Sequence, residues 1–265
     1  MNQLTVDKIA AQLQAADEAA FAVLERSLAA DTRKGVRRAV EAARKRLEAA
    51  AAEAERVRGL YAYERSLAEE RGAALAVGLD EVGRGPLAGP LAVGAVVLAP
   101  DAEPLDGLND SKQVPAERRE ALAEEIKAQA LAWTVQYMAP DQIDAVGMAA
   151  ALAQAFRRAI AAIDAQVPAP VGLVLLDGNP LRLDERELAV VKGDGRCASI
   201  AAASIVAKVE RDALMARLDG EHPGYGFASN KGYASPSHIE AIKSLGLSPA
   251  HRATFCTAFT QASLF

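Results

Sequence analysis

Up to Arg71 the apolar residues recur at Val6, Ile9 and Leu13, then at Phe21, Leu24 and Leu28, and again at Val36, Val40, Leu47 and Val57. Alanines fill the seam between them. Spacings of three and four residues predict amphipathic helices. The stretch ADTRKG around Asp31 to Gly35 predicts a break between a first and a second helix, and Gly72 follows the last helical piece. Residues 1–71 therefore read as a small all-helical appendage, a helical hairpin plus a connecting helix.

From Ala73 the pattern changes to short apolar runs bounded by Gly, Pro or charge. Strands are predicted at Leu75 to Asp80, Leu91 to Leu98, Trp133 to Met138, Gly172 to Leu176 and Leu188 to Val191. Helices are predicted at Pro115 to Ala130, Pro140 to Asp164, Ala198 to Leu218 and Ser235 to Leu245, with Pro115 and Pro140 suited to first-turn positions. Three strands with tight connections, followed by helix–strand alternation, predict an α/β layer with a mixed five-stranded sheet over residues 72–265. No internal repeat is evident.

Composition narrows the function class. With 265 residues, 51% hydrophobic and 25% charged, the chain reads as an ordinary globular protein. No apolar run approaches the roughly 18 residues of a membrane span, and MNQLTVDKIAAQ lacks the basic start and apolar block of a signal peptide, so a cytoplasmic location is expected. Cys197 and Cys256 are too few for a disulfide framework, and His222, His238 and His251 show no metal-ligand spacing. A metal here would take oxygen ligands. The net charge of −5 argues against coating nucleic acid by charge alone, but leaves room for an acidic cleft with a basic rim.

The chemistry gathers in GLDEVGRGPLAGP, which starts at Gly78. Asp80 and Glu81 are adjacent like charges that each resist losing water, so they need solvent or a partner. GRGPLA fits a loose dinucleotide fingerprint, yet that fingerprint opens a helix at its glycines. Here Pro86, Gly89 and Pro90 interrupt and a strand-like run follows, so the cofactor reading fails. The alternative is a turn whose bare backbone at Gly83 and Gly85 approaches a ligand, with Arg84 able to pair with a phosphate. Turn glycines and solvated acid pairs are the plainer reading of this stretch alone.

Asp177 ends the apolar run GLVLLD and Asp194 follows LAVVKG. Three predicted strands thus deliver acids past their carboxyl ends, where open α/β sheets place ligands. Four carboxylates in one place require cations, and hard oxygen donors select Mg²⁺ or Mn²⁺. Two-metal phosphodiester hydrolysis uses such a cluster, with ions about 3.5–4 Å apart.

GLDEVGRGPLAGP, LNDSK at Leu108 to Lys112, LLDGN at Leu175 to Asn179, VVKGD at Val190 to Asp194, ASIAAASIVAKVERD at Ala198 to Asp212, NKGY at Asn230 to Tyr233 and HRATF at His251 to Phe255 closely resemble, in order and spacing, the bacterial ribonuclease HII family. The resemblance implies a ribonuclease H-like fold and an endonuclease that cuts RNA in RNA–DNA hybrids, and cuts 5′ to single ribonucleotides embedded in duplex DNA. By position, Asp80, Glu81, Asp177 and Asp194 resemble the catalytic metal-binding acids. Gly83, Arg84 and Gly85 resemble the turn that reads the ribose 2′-hydroxyl, and Tyr233 the tyrosine that packs on the neighbouring deoxyribose. Asn109, Ser111, Lys112, Lys192, Ser204 and Lys231 match positions of phosphate contact or bracing, as does Lys208; Asp212 reads equally as a structural partner for a base. Gln113–Val114 after LNDSK, and Thr254 where serine is more usual, depart from the pattern without touching the acids.

The start MNQLTV and the segment YERSLAEERG resemble the N-terminal extension of some Gram-positive members and carry no chemistry. The tail QASLF, Gln261 to Phe265, resembles peptides that dock on the bacterial sliding clamp, with Ala262 in place of a usual leucine. Rival readings are a ribonuclease HIII-like enzyme, another two-metal nuclease blind to the 2′-hydroxyl, and a non-catalytic nucleic-acid-binding module.

Overall fold

A computed structural model describes residues 4–260. The chain divides into two compact units, Met1–Arg56 and Val57–Phe265. The expected tail motif, Gln261 to Phe265, lies outside the described residues.

In the first unit, α1 (Val6–Ala15) and α2 (Glu18–Leu28) precede the start of α3 (Lys34–Glu70). The apolar stripe read from the sequence becomes a small core of Ile9, Leu13, Ala16, Phe21, Val36 and Ala43. The hairpin's first arm is two helices, because Asp17 caps α2 by accepting the Ala20 N–H at 2.8 Å. Asp31 and Arg33 pair at 2.6 Å in the expected break before α3.

The division between units falls inside α3, which runs without interruption to Glu70. Within the larger unit, Val57, Leu60 and Tyr61 of α3 join a core with Leu108, Leu122, Ile126 and Ile205. The residues 57–70 thus pack as part of the larger unit, although their sequence pattern continues that of the preceding helix.

The larger unit holds a five-stranded mixed sheet in the order β3-β2-β1-β4-β5. Its strands are β1 (Ala76–Val82), β2 (Leu91–Val97), β3 (Ala132–Met138), β4 (Leu173–Asp177) and β5 (Glu187–Val190). The first three pair antiparallel, while β1–β4 and β4–β5 pair parallel. Helix α4 (Ala116–Gln129) precedes β3, and α5 (Pro140–Val146) and α6 (Met148–Asp164) follow it. The predicted single helix from Pro140 to Asp164 is instead bent by 119° between α5 and α6. Gly147 at the joint has φ 79°, a left-handed backbone that no helix interior contains.

α6 covers one face of the sheet, packing Leu152, Phe156 and Ile163 against Val77, Leu79 and Val93. α7 (Ala198–Glu221) covers the other, and it sits unusually close. A Cβ on Gly78 would lie 2.2 Å from the Ser199 carbonyl carbon, and one on Gly94 would lie 2.5 Å from Ala203 O. Glycine in the strands and alanine in the helix therefore set the layer spacing. The chain ends with α8 (Phe227–Asn230), α9 (Pro236–Leu245) and α10 (Thr257–Thr260) around a third apolar cluster. Among the described residues no single helix is long and apolar enough to cross a membrane.

Candidate active site

β1 pairs with β4 in parallel, so both strands deliver their last residues to the same sheet edge. Asp177 closes β4, and Asp80 lies one residue beyond the last β1–β4 pair. The strand β1 runs two residues further than predicted, because Glu81 and Val82 keep antiparallel partners in Val93 and Ala92. Alternation is therefore preserved through the acid pair. Gly78 faces α7, and Asp80, two residues on, shares that face, opposite Gly94. A local bond links the pair: the Glu81 N–H donates to Asp80 Oδ1 at 2.8 Å.

Burial and the like charges of Glu81 and Asp177 push the Asp80 carboxyl up to about 8, against the weaker pull of the Glu81 amide and the Ser204 hydroxyl. Glu81 is also raised by burial and by Asp177, and is restrained by Arg84, whose guanidinium sits 3.0 Å away. Asp194 stands in the 3₁₀ turn Gly193–Gly195, raised by burial, by Asp177 and by Asp110. The Gly193 N–H donates to Asp177 Oδ1 at 2.6 Å, which ties the turn to the end of β4. The four acids expected from the sequence thus act on one another across one sheet edge.

Lys112 is a second cation near the acids. Burial alone would lower it, yet Asp110, Asp80, Asp194 and Asp177 together raise it. Ser111 is buried, and its hydroxyl accepts from Ser204 Oγ at 2.9 Å. Asn109 accepts the Asp110 N–H at 2.9 Å in a local turn. Asp110 belongs to the same acidic field, and its place between Asn109 and Ser111 is the signal for it in the sequence. Lys192 is exposed with a left-handed backbone, φ 56°. Lys208 pairs with Asp212 at 2.8 Å, so Asp212 is the partner of a base.

Gly83 takes φ 88°, and a Cβ there would strike the Arg211 guanidinium. Gly85 is not at positive φ, and an added Cβ there would meet nothing within 4 Å. The fold makes no demand for glycine at 85, so the space over it is open. Lys231 is half-buried with φ 54°, and Tyr233 is 48% exposed. Both stand beside the turn, because Leu87 N donates to Gly232 O at 2.8 Å.

A buried histidine pair supports the Tyr233 segment. The Ser248 N–H donates to His251 Nδ1 at 3.0 Å, which leaves the proton of that ring on Nε2. His251 Nε2 then donates to His238 Nε2 at 3.1 Å, and His238 Nδ1 donates to Tyr233 O at 2.8 Å. One set of tautomers satisfies the whole chain of bonds. Thr254 donates its hydroxyl to Asp144, a bond that serine could also make.

The acids supply oxygen donors only, and their mutual repulsion is of the kind that a hard divalent cation relieves. Among the described residues, no three His, Cys, Asp or Glu side chains are already arranged to hold a metal ion. The donor chemistry fits; a closed cage is not preformed.

The family model Ribonuclease HII matches residues 77–258, and Ribonuclease HII N-terminal domain matches residues 5–68. Ribonuclease HII of Listeria monocytogenes is 43% identical over 225 residues, covering 85% of this chain and 84% of the relative. Among solved structures, ribonuclease HII of Archaeoglobus fulgidus, determined in complex with PCNA, superposes with a TM-score of 0.57 at 28% identity, covering 72% of this chain and 98% of that one. Ribonuclease H2 of Pyrococcus horikoshii gives a TM-score of 0.57 at 24% identity, covering 71% of this chain and all of the other, and shares the fold. The chain belongs to the Ribonuclease HII family, with the ribonuclease H activity of that family.

Proposed function

We propose that this chain hydrolyses the RNA strand of RNA–DNA hybrids and cuts duplex DNA on the 5′ side of a single embedded ribonucleotide, leaving 3′-hydroxyl and 5′-phosphate ends. The observation that carries the reading is Asp80. It is half-buried beside Glu81 and Asp177, raised to about 8, and three residues from a turn open to ligand. Groups perturbed in this way, grouped in a cleft, mark functional sites.

Asp80, Glu81, Asp177 and Asp194 would hold Mg²⁺ or Mn²⁺, which supplies an activated water and stabilises the leaving oxygen when bound. Lys112 offsets part of the acidic field and can meet a phosphate. Ser204 and Ser111 brace Asp80 from the α7 side. Gly85 leaves space for a sugar to approach the main chain, and a 2′-hydroxyl is what separates RNA from DNA there. Tyr233, half-exposed beside the turn, offers a ring for the next deoxyribose. Asn109, Lys192 and Lys231 are proposed to meet the phosphate backbone.

The experiment compares duplexes carrying no ribonucleotide, one, or a run of four, each with and without Mg²⁺ or Mn²⁺. Metal-dependent cutting of the single-ribonucleotide duplex, with all-DNA intact, is expected. Cutting of the run alone would favour a ribonuclease HIII-like preference, cutting of all three a nuclease blind to the 2′-hydroxyl, and binding without cutting a non-catalytic module. Docking on a sliding clamp through Gln261 to Phe265 is a separate part of the proposal. A synthetic tail peptide should bind the clamp, and absence of affinity removes that part.

A further inference from the structure

Two arginines, Arg211 and Arg252, are fully buried, and their donated hydrogen bonds all go to backbone carbonyls. Arg252 donates from Nη2 to Gly83 O at 2.6 Å, from Nη1 to Arg84 O at 3.0 Å and from Nε to Gly89 O at 2.9 Å. Arg211 donates from Nε to Pro90 O at 2.9 Å, from Nη2 to Ala88 O at 3.3 Å and from Nη1 to Lys231 O at 3.1 Å. Taking a guanidinium out of water is costly, and a planar fork is the side chain that can engage several fixed acceptors at once. Here both forks are spent on holding main chain.

The direction of those bonds has a geometric consequence. In a trans peptide the C=O and the following N–H point in opposite directions, and no cis peptide occurs among the described residues. The carbonyls of Gly83 and Arg84 point inward to Arg252, so the N–H groups of Arg84 and Gly85 point outward. Gly85 itself is exposed, and a Cβ added to it would meet nothing within 4 Å.

We propose that Arg252 is a specificity-positioning residue: by drawing in the carbonyls of Gly83 and Arg84 it presents the Arg84 and Gly85 N–H groups to the 2′-hydroxyl of a ribonucleotide. The inference rests on the function proposed above. Arg252 touches no substrate. It acts through the turn, while Arg211 ties the segment that follows it, at Ala88 and Pro90, to the one that carries Lys231 and Tyr233.

The test uses the full chain carrying Asp80→Asn, so that binding is read without cutting. Affinities for a duplex with one ribonucleotide and for the same duplex in all-DNA form are measured by fluorescence anisotropy in Mg²⁺. The parent should prefer the ribonucleotide. Adding Arg252→Lys, which keeps the charge and loses the fork, should cut that preference roughly tenfold or more, with all-DNA affinity unchanged. A purely structural role would weaken both duplexes alike, and a preference that survives in a folded Arg252→Lys protein overturns the inference. If Arg252→Lys does not fold, Gly85→Pro decides: it removes one outward N–H and leaves Arg252 in place, and retained preference again overturns it. A parent with no preference at all would instead sink the proposed function.

Discussion

Glu64 of α3 accepts the backbone N–H of Ser199 at 2.7 Å and its hydroxyl at 2.8 Å, so that one helix of the larger unit caps the first turn of another. Close by, the Arg196 guanidinium lies 4.4 Å from the Tyr63 ring centroid. Cys197, at the N-cap of α7, makes no side-chain cap of its own, and Glu64 fills that role from elsewhere in the chain. Glu64→Ala should destabilise the protein by about 1–2 kcal/mol, since it leaves a buried amide and hydroxyl without their acceptor. Glu64→Gln keeps an acceptor oxygen and should cost less. Urea unfolding of the three proteins checks this; equal stability of Glu64→Ala and wild type would show that the cap contributes nothing.

Asp80→Asn separates activity from stability. The ionised carboxylate is disfavoured by burial and by Glu81 and Asp177, so removing its charge relieves repulsion. Asn keeps an oxygen acceptor for the Glu81 amide. The melting temperature should hold or rise, while hydrolysis should fall by about 10³-fold, the several kcal/mol that a metal-held phosphoryl site supplies. Asp177→Asn should lose activity similarly. Full activity in either variant removes the metal-binding assignment.

The histidine pair predicts an acid limb of stability. Burial, and then His238, depress His251 to about 4, and burial lowers His238 as well. An unfolded histidine binds its proton near pH 6.5. Below that value the unfolded chain holds more protons than the folded one, so stability falls as pH drops from about 6.5 toward 4 and is recovered as pH rises. The slope should reach about 1.4 kcal/mol per pH unit for each proton involved. In His251→Gln the limb should be shallower over that window. An unchanged limb by thermal melts at stepped pH would place the acid sensitivity elsewhere.

Strand positions were legible because apolar runs bounded by Gly, Pro and charge survive into the sheet, and Asp177 and Asp194 were legible as acids at strand ends. What escaped depends on partners distant in the chain. The two extra residues of β1 exist because Val93 and Ala92 pair with them. The bend at Gly147 is hidden in an alanine-rich run whose periodicity reads straight through it. Arg211 and Arg252 look like surface charges in sequence, since the carbonyls that receive them lie as far as 169 residues away. Gly83 and Gly85 look alike in the sequence, yet only Gly83 takes a positive φ, because what separates them is the Arg211 side chain packed against Gly83 and the open space over Gly85.

The close approach of α7 to the sheet gives the last prediction. On Gly94 a Cβ would sit 2.5 Å from Ala203 O and 3.0 Å from the Ala207 methyl, so Gly94→Ala must push helix and strand apart. Overpacking of this kind costs about 1–3 kcal/mol. The same shift acts on Ser204, which follows Ala203, and on Asp80, the strand partner of Gly94. Activity should therefore fall even at temperatures where Gly94→Ala is fully folded. Gly59 is the control: it lies within α3, a Cβ there meets nothing within 4 Å, and Gly59→Ala should stabilise by up to about 1 kcal/mol with activity unchanged. Unfolding curves and initial rates for both variants test the pair. If Gly94→Ala keeps wild-type rates while losing stability, the layer spacing supports the fold and has no hold on the placement of Asp80.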